Sequence, residues 1–426
     1  MCFHLNILAV GEDKNIMKEE YLIGLTKRED KQVWIGTRPP FNMEPLDLLN
    51  STNFRVSPSF HQRYGIVWLY EHMLSDLKSN GWKIVIDECI RLLKEDGIFV
   101  IRSQECSKLT IVEIKGLLGR REDLNVEVDF EVLDEENHIW TVCYRVHRKD
   151  LFLYQDKLWT FAMLTSGKKV ETVVRFLESI RKNDTHNQHE IIISGPYNPA
   201  YEKYNVQYLD LSPFRDGQYA EISKKKNAIA KRAKNANLLI AHDRFVLNED
   251  FFEGFEKFGY DFDFLTVKQF YESGVEYPAY CCLEKDGLVW STPYRIDNLN
   301  QLYPTQYLNG GLLIFKTHTL QRIGFNNLLM WNQMEDVEIS RRFIESGIVP
   351  RMNFLSSAQT VGVDESYTKT FKTNEKDLQI LVNPLGINFD SEMSDRVSYS
   401  RYAKYIPKAI KKTQVYLSLK QKLLHH

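Results

Sequence analysis

Residues 222–252, ISKKKNAIAKRAKNANLLIAHDRFVLNEDFF, decide how the chain is read. Ile222, Ile229, Ala233 and Ala236 recur at helical spacing with lysines and arginines between them, the pattern of an amphipathic helix. Leu238 to Ala241 follow as a continuous apolar run, the signature of a strand covered on both faces. His242, Asp243 and Arg244 then stand at the strand's carboxyl end, where an open α/β sheet presents its ligand crevice. Asn248 is placed to cap a second helix, with Glu249 and Asp250 in its first turn. Taken alone, the triplet is equally an ordinary surface turn, and the lysines 224–226 read most simply as a solvated helix face. The neighbouring chain decides between turn and site.

On the amino-terminal side, Trp159 to Leu164 read as a strand ended by Thr165-Ser166-Gly167. Val170, Val173, Val174, Leu177 and Ile180 form a helical stripe that stops before Asn183-Asp184. Ile191 to Ile193 and Val206 to Leu211 are two further strands, which makes the run at 238–241 the fourth. Strands alternating with helices, with a polar triplet after the fourth strand, outline a nucleotide-binding α/β domain. On the carboxyl-terminal side, Asn309-Gly310-Gly311 allows a close backbone approach just before a strand at Leu312 to Phe315. Trp331 then precedes Glu335-Asp336, and Val337, Ile339, Phe343 and Ile344 carry a helix to Gly347. Two carboxylates at a helix start gain from the helix dipole, and they are also where a cleft can hold a general base.

This ordered set, over Leu158 to Gly362, resembles a GT-A glycosyltransferase of the inverting family 2 type. The resemblance implies that Asp336, beside Glu335, is the catalytic base and that Asp243 takes the ribose or the metal bridging the donor diphosphate. It implies donor contacts from His242, Arg244, Asn227, Lys226, Thr165 and Ser166. Trp331, Asn309, Gly310 and Gly311 would border the acceptor. The donor would be a nucleotide-diphosphate sugar, a UDP-sugar first among them, with Mn²⁺ or Mg²⁺ as the cation. One departure stands out: histidine and arginine flank Asp243 where the family has acids, and after His318 the only histidines are His425 and His426. Metal dependence is therefore left open. The stretch 261–306 between the two constellations is rich in Tyr, Phe and Trp, which suits a carbohydrate acceptor, a core or a dimer surface alike.

Before position 150, Leu5 to Val10, Val33 to Ile35, Gly65 to Leu69 and Ile98 to Ile101 read as strands. A helix is expected around Met17 to Leu25, and another through Ile84, Ile86, Cys89, Ile90 and Leu93, stopped by Gly97. Val126 to Leu133 and Trp140 to Val146 close the sheet. VWLYEHMLSDL followed by IDECIRLLKEDGIFVIR resembles the second half of a class I S-adenosylmethionine-dependent methyltransferase, with Glu71-His72 as its post-strand pair. The family's glycine-rich loop is missing, since AVGEDKN holds one glycine, so a degenerate domain without bound S-adenosylmethionine is expected. His147 to Asp150 reads as a linker.

The expected fold is thus α/β with two domains. A Rossmann-like, methyltransferase-like part spans 1–150, a GT-A nucleotide-diphospho-sugar transferase domain spans 155–394, and a helical tail spans 395–426. In that tail Ile406, Ile410, Leu417 and Leu424 share a face amid lysines and arginines, which suits an anionic membrane surface or packing back onto the domain. A formal charge of −2 on 426 residues argues against a nucleic-acid partner. Six cysteines without metal or disulfide spacing, and no signal or membrane-spanning segment, place the expected protein in the cytoplasm, peripheral to the inner face of the membrane. Transfer of a sugar to a glycan or lipid-linked acceptor in surface polysaccharide synthesis is the expected activity. A bifunctional methyl- and glycosyltransferase, or a non-catalytic carbohydrate-binding scaffold, are the alternatives.

Overall fold

The computed structural model describes residues 11–367 apart from 52, 78–79, 107–108, 185, 187, 286–287, 300–301 and 303–304. The strand expected at Leu5 to Val10 and the basic tail lie outside the described residues. Contacts gather the chain into two units, Met1–Cys282 with Arg295–Thr370, and Leu283–Tyr294 with Phe371–His426. Both large sheets belong to the first unit.

The first sheet comprises β1 (Gln32–Ile35), β2 (Glu44–Leu46), β3 (Tyr64–Leu69), β4 (Leu93–Gln104), β5 (Leu124–Asp134) and β6 (Ile139–Arg148). Its order is β2-β1-β3-β4-β6-β5. The first four strands run parallel, and β6 is antiparallel to both β4 and β5. Helices α1 (Gly11–Thr26), α2 (Trp82–Leu92) and α3 (Ile111–Gly119) accompany it. All six β3 residues are buried, as a continuous apolar strand between covered faces should be. Gly97 does not stop a helix, because α2 ends at Leu92 and the strand begins at once with Leu93, so Gly97 lies inside β4. There a Cβ would meet Leu93 Cδ2 at 2.7 Å and Gly65 O at 3.1 Å, so the glycine lets neighbouring backbone close up.

The second sheet is built from β7 (Trp159–Leu164), β8 (Glu190–Ser194), β9 (Gln207–Tyr208), β10 (Asn237–His242), β11 (Phe245–Leu247), β12 (Phe264–Phe270) and β13 (Glu276–Tyr277). Beyond β14 (Tyr280–Lys285), β15 (Leu288–Arg295) and β16 (Gln306–Leu308), the sheet is completed by β17 (Leu312–Lys316) and β18 (Arg351–Thr360). Its order is β11-β18-β12-β17-β10-β7-β8-β9, with β13 on β12. Helices α4 (Val170–Arg181), α5 (Ile222–Arg232), α6 (Phe251–Phe258), α7 (Thr317–Ile323) and α8 (Glu335–Glu345) flank it. The third expected strand shrinks to Gln207–Tyr208. Asn248 is not a helix cap either: Phe245–Leu247 pairs with β18, the Asn248 side chain bonds Ser357 Oγ at 2.8 Å, and Asp250 precedes the helix. An aromatic core of Trp159, Phe161, Phe251, Phe255, Tyr260 and Phe262 binds α6 to β7, each ring contributing about 1.5–3 kcal/mol by burial.

Five arginines and five carboxylates are buried where α2 and the end of β6 meet the second sheet. Asp87 accepts from Arg91, Arg121 and Arg351, and Arg91 also reaches Asp261 and Asp263. Arg148 holds Asp261 at 3.0 Å, Arg121 holds Asp123, and Glu88 takes Arg55, Arg351 and His61. The charges balance, which makes burial of so many ions tolerable. Arg148, expected in a linker, is therefore the end of a strand and 2 % exposed. A local cluster of charge looked like surface, but its partner lies 113 residues away.

Candidate functional site

The parallel strands of the second sheet run β7 to β8 to β9 in one direction, while β10 lies on the other side of β7. The strand order therefore reverses between β7 and β10, and their carboxyl ends leave a crevice there. Thr165 and Ser166 close β7, and His242, Asp243 and Arg244 close β10. Asp243 crosses the gap: its Oδ2 accepts from Thr165 Oγ1 at 2.8 Å and from Ser166 N at 3.3 Å. Its backbone N–H bonds Leu164 O at 3.1 Å.

The second constellation joins the first through Asn309-Gly310-Gly311. His242 N donates to Gly311 O at 2.9 Å, and Gly310 N donates to Asp336 Oδ2 at 2.9 Å. A Cβ on Gly311 would stand 2.6 Å from Arg244 Nη2, and one on Gly310 would stand 2.9 Å from Asp336 Cβ and 3.1 Å from Glu335 Oε1. Only a residue without a side chain lets both charged groups approach the backbone so closely. Asn309 accepts the Gly311 N–H at 3.2 Å and fixes the turn.

Asp336 occupies the first turn of α8, where Val337 N also donates to it at 2.9 Å. Burial and the adjacent Glu335 charge push its pKa up to about 6, against the pull of the Gly310 N–H and Lys226. Helix α8 enters from Met334 at φ 61°, and Asn332 also has a left-handed φ of 62°, so two strained residues aim this turn. Lys226 is fully buried, donating to Gly310 O at 3.1 Å and to Glu335 Oε1 at 3.2 Å. The reading of 224–226 as a solvated face fails here and at Lys225, which is 8 % exposed and paired with Asp216. Lys226 packs on the Gly-Gly segment rather than on water, while Lys224 stays 42% exposed beside Glu221.

Asn227 is spent on scaffold. Its amide donates to Phe325 O and Asn327 Oδ1, both at 2.8 Å, and accepts from Phe325 N, which leaves little for a donor. Trp331 stands 52 % exposed on the loop before α8, where its backbone N–H donates to Ala220 O at 2.8 Å. Among the described residues no side-chain contact ties it to the crevice. Sequence reading missed Tyr277, Tyr307 and Cys281, whose charged neighbours include Arg244 for Tyr277 and Asp336 for the other two. The aromatic richness of 261–306 was the one signal for Tyr277 and Cys281, without any indication of place.

A divalent cation needs several oxygen or imidazole ligands converging on one point. Asp243 is the single acid of its triplet, one of its oxygens already accepts two hydrogen bonds, and Arg244 follows it. Among the described residues no three His, Cys, Asp or Glu side chains form a metal-holding group. Among the described residues the side chains alone do not make a resident cation site. Instead, His242 Nε2, Arg244 Nε and Tyr277 Oη are buried without a hydrogen-bond partner among the described residues. Burial, with Lys226 and Arg244 nearby, holds the His242 pKa well below its usual value, so this imidazole is neutral. Arg244 Nη1 donates to Tyr367 Oη at 3.0 Å, and the guanidinium lies against the Phe245 and Tyr367 rings.

In the first sheet the strand order reverses between β1 and β3, and there Glu71 fills the crevice. It accepts from Trp34 Nε1 at 2.6 Å and Arg38 N at 2.9 Å, and its Oε2 stands 2.2 Å from where a Gly36 Cβ would be.

No family model matches the chain, and no curated protein does. Solved structures overlap it loosely. The S. aureus TarS 1–349 complex with UDP-GlcNAc is 12% identical, covering 56% of this chain and 70% of that one at a TM-score of 0.34. A Drosophila β1,4-galactosyltransferase 7 mutant with manganese, UDP-Gal and xylobiose is 11% identical, with 51% and 78% covered and a TM-score of 0.31. The Pyrobaculum calidifontis mannosyltransferase PcManGT with GDP-Man and Mn²⁺ is 10% identical, with 49% and 58% covered and a TM-score of 0.32.

Proposed function

We propose that the chain is a glycosyltransferase that moves a sugar from a nucleotide-diphosphate donor to a hydroxyl of a glycan or lipid-linked acceptor, with inversion. The observation that carries this reading is Asp336: a carboxylate fixed by two backbone N–H groups at a helix start and joined through Gly310-Gly311 to a crevice at a topological switch point. Its raised pKa of about 6 leaves it ionised at neutral pH yet basic enough to take a proton. The acceptor O–H gives its proton to Asp336 as the oxygen bonds the anomeric carbon. The bond from that carbon to the diphosphate oxygen breaks with its electron pair leaving on the nucleoside diphosphate. Attack and departure on opposite faces invert the configuration. Thr165, Ser166 and Asp243 border the nucleoside end, while Asn309 and Trp331 border the acceptor.

The test is Asp336→Asn in the full chain. Expected is a loss of sugar transfer of about 10²–10⁴-fold with nucleoside diphosphate affinity retained. Full turnover in that variant would remove the base assignment.

We further propose that residues 1–150 are a methyltransferase-like scaffold, with 155–394 as the transferase part and 395–426 as a basic tail for an anionic membrane surface. Glu71 in the first crevice, and α2 turned into the buried ion cluster, support the scaffold role. Calorimetry with S-adenosylmethionine should be silent.

A further inference from the structure

Asp243 is the one carboxylate of its triplet, and near it His242 Nε2, Arg244 Nε and Tyr277 Oη have no hydrogen-bond partner among the described residues. From this we infer that the diphosphate of the donor is held by side chains, Arg244 and His242 with Tyr277, and needs no divalent cation; the inference rests on the donor reading above. Three observations support it. His242 Nε2, Arg244 Nε and Tyr277 Oη are each buried without a hydrogen-bond partner among the described residues, a costly state that an anion bound there relieves. Arg244 follows His242 by two residues, and its guanidinium lies 5.4 Å from the Phe245 ring, which in turn lies 5.9 Å from the Tyr277 ring. And Arg244 is held in place from two sides, by its bond to Tyr367 and by the Gly311 backbone against its Nη2, so it meets an anion without being reordered.

Charge accounting points the same way. A cation that bridges a diphosphate also takes a protein carboxylate, and those at hand are engaged: Glu335 with Lys226, Asp336 with backbone N–H groups, and one oxygen of Asp243 with Thr165 and Ser166. A guanidinium instead offers forked, charge-assisted donors that match phosphate oxygens directly. As the bond to the anomeric carbon breaks, charge grows on the leaving diphosphate, and a fixed guanidinium stabilises it without reorganisation.

The experiment is isothermal titration of the full chain with UDP, GDP and UMP, each in excess EDTA and in excess Mn²⁺ or Mg²⁺. Expected is diphosphate binding in EDTA within about twofold of that with cation. Arg244→Met should weaken the diphosphate about ten- to hundredfold, as loss of a charge-assisted bond does, and the monophosphate much less. His242→Gln, which keeps a hydrogen-bonding side chain, should fall between the two proteins. It also serves if Arg244→Met melts early. Binding that appears only with a cation overturns this inference and leaves the donor reading standing. Absence of binding by any nucleotide under either condition overturns the donor reading and this inference with it.

Discussion

Replacing Asp87 by Asn tests whether the two sheets are one folding unit. Asp87 lies on α2, beside the first sheet, yet it accepts five hydrogen bonds from three arginines, including Arg351 on the second sheet. Asparagine keeps the shape, removes the charge and turns two donor hydrogens toward arginines. Breaking a buried ion pair on one side costs about 3–5 kcal/mol, because the abandoned charges stay buried. Unfolding entropy is about 2.1 cal/mol/K per residue, hence about 0.7 kcal/mol/K over some 350 residues, so the melting temperature should drop by about 4–7 °C. Burial opposes ionisation of Asp87, but Arg91, Arg351 and Arg121 outweigh it and hold its pKa well below the usual value. A depressed carboxylate pKa contributes stability above the ordinary range and loses it only as pH falls through the folded value. The deficit of the variant should therefore persist from neutral pH past pH 4 and shrink only in stronger acid. Near-UV dichroism gives the melt, and hydrogen exchange gives the protection of β3 and β12 separately. If β3 lost protection alone while β12 kept its wild-type stability, the halves would be separable domains and the reasoning wrong.

Three further outcomes bear on the site. The acidic limb of kcat/KM should follow the Glu335–Asp336 pair with an apparent pKa of about 6, the rate falling tenfold per pH unit below it; a limb near 4 would mean that Asp336 is not the titrating base. Lys226→Met removes a charge that favours the Asp336 carboxylate, so the same limb should move to higher pH, and movement to lower pH would contradict the placement of Lys226. Gly310→Ala puts a methyl 2.9 Å from Asp336 Cβ, and a displaced base should lower kcat by about 10²-fold with little change in nucleotide affinity, as steady-state kinetics and calorimetry together would detect; near-normal kcat would show that this contact is not critical.

What could be read from the chain alone follows from the range of the interactions involved. Strand β7, helix α4 and strand β10 depend on periodicity within a few turns, and Trp159–Leu164, Val170–Arg181 and Asn237–His242 form close to where the apolar pattern puts them. Helix α2 ran wrong at its end because Leu93 continues the apolar pattern of the helix although its backbone already belongs to β4. No local pattern distinguishes Gly97 as a helix stop from Gly97 as a gap into which Leu93 and Gly65 close. The motifs of the candidate site were legible as an order: HDR, NGG and ED stand in the chain as separate charged and glycine-rich turns, and they come together once β10 and β17 pair antiparallel.

Charge was the least legible property, for a physical reason. Arg148 and Lys226 were assigned to a linker and to a wet helix face because an isolated charge belongs in water. Both are buried because a carboxylate more than a hundred residues away meets them, Asp261 in one case and Glu335 in the other. The same logic bears on His242 and Arg244. The arginines beneath α2 and Lys226 have carboxylate partners in the protein, whereas Arg244 Nε and Tyr277 Oη, near a neutral histidine, have no hydrogen-bond partner among the described residues. A fold that balances five arginines against five carboxylates beneath α2 has the means to balance one more, and Asp243 directs an oxygen to Thr165 and Ser166 instead. On the proposal made above, the anion that the crevice receives is the counterion of Arg244.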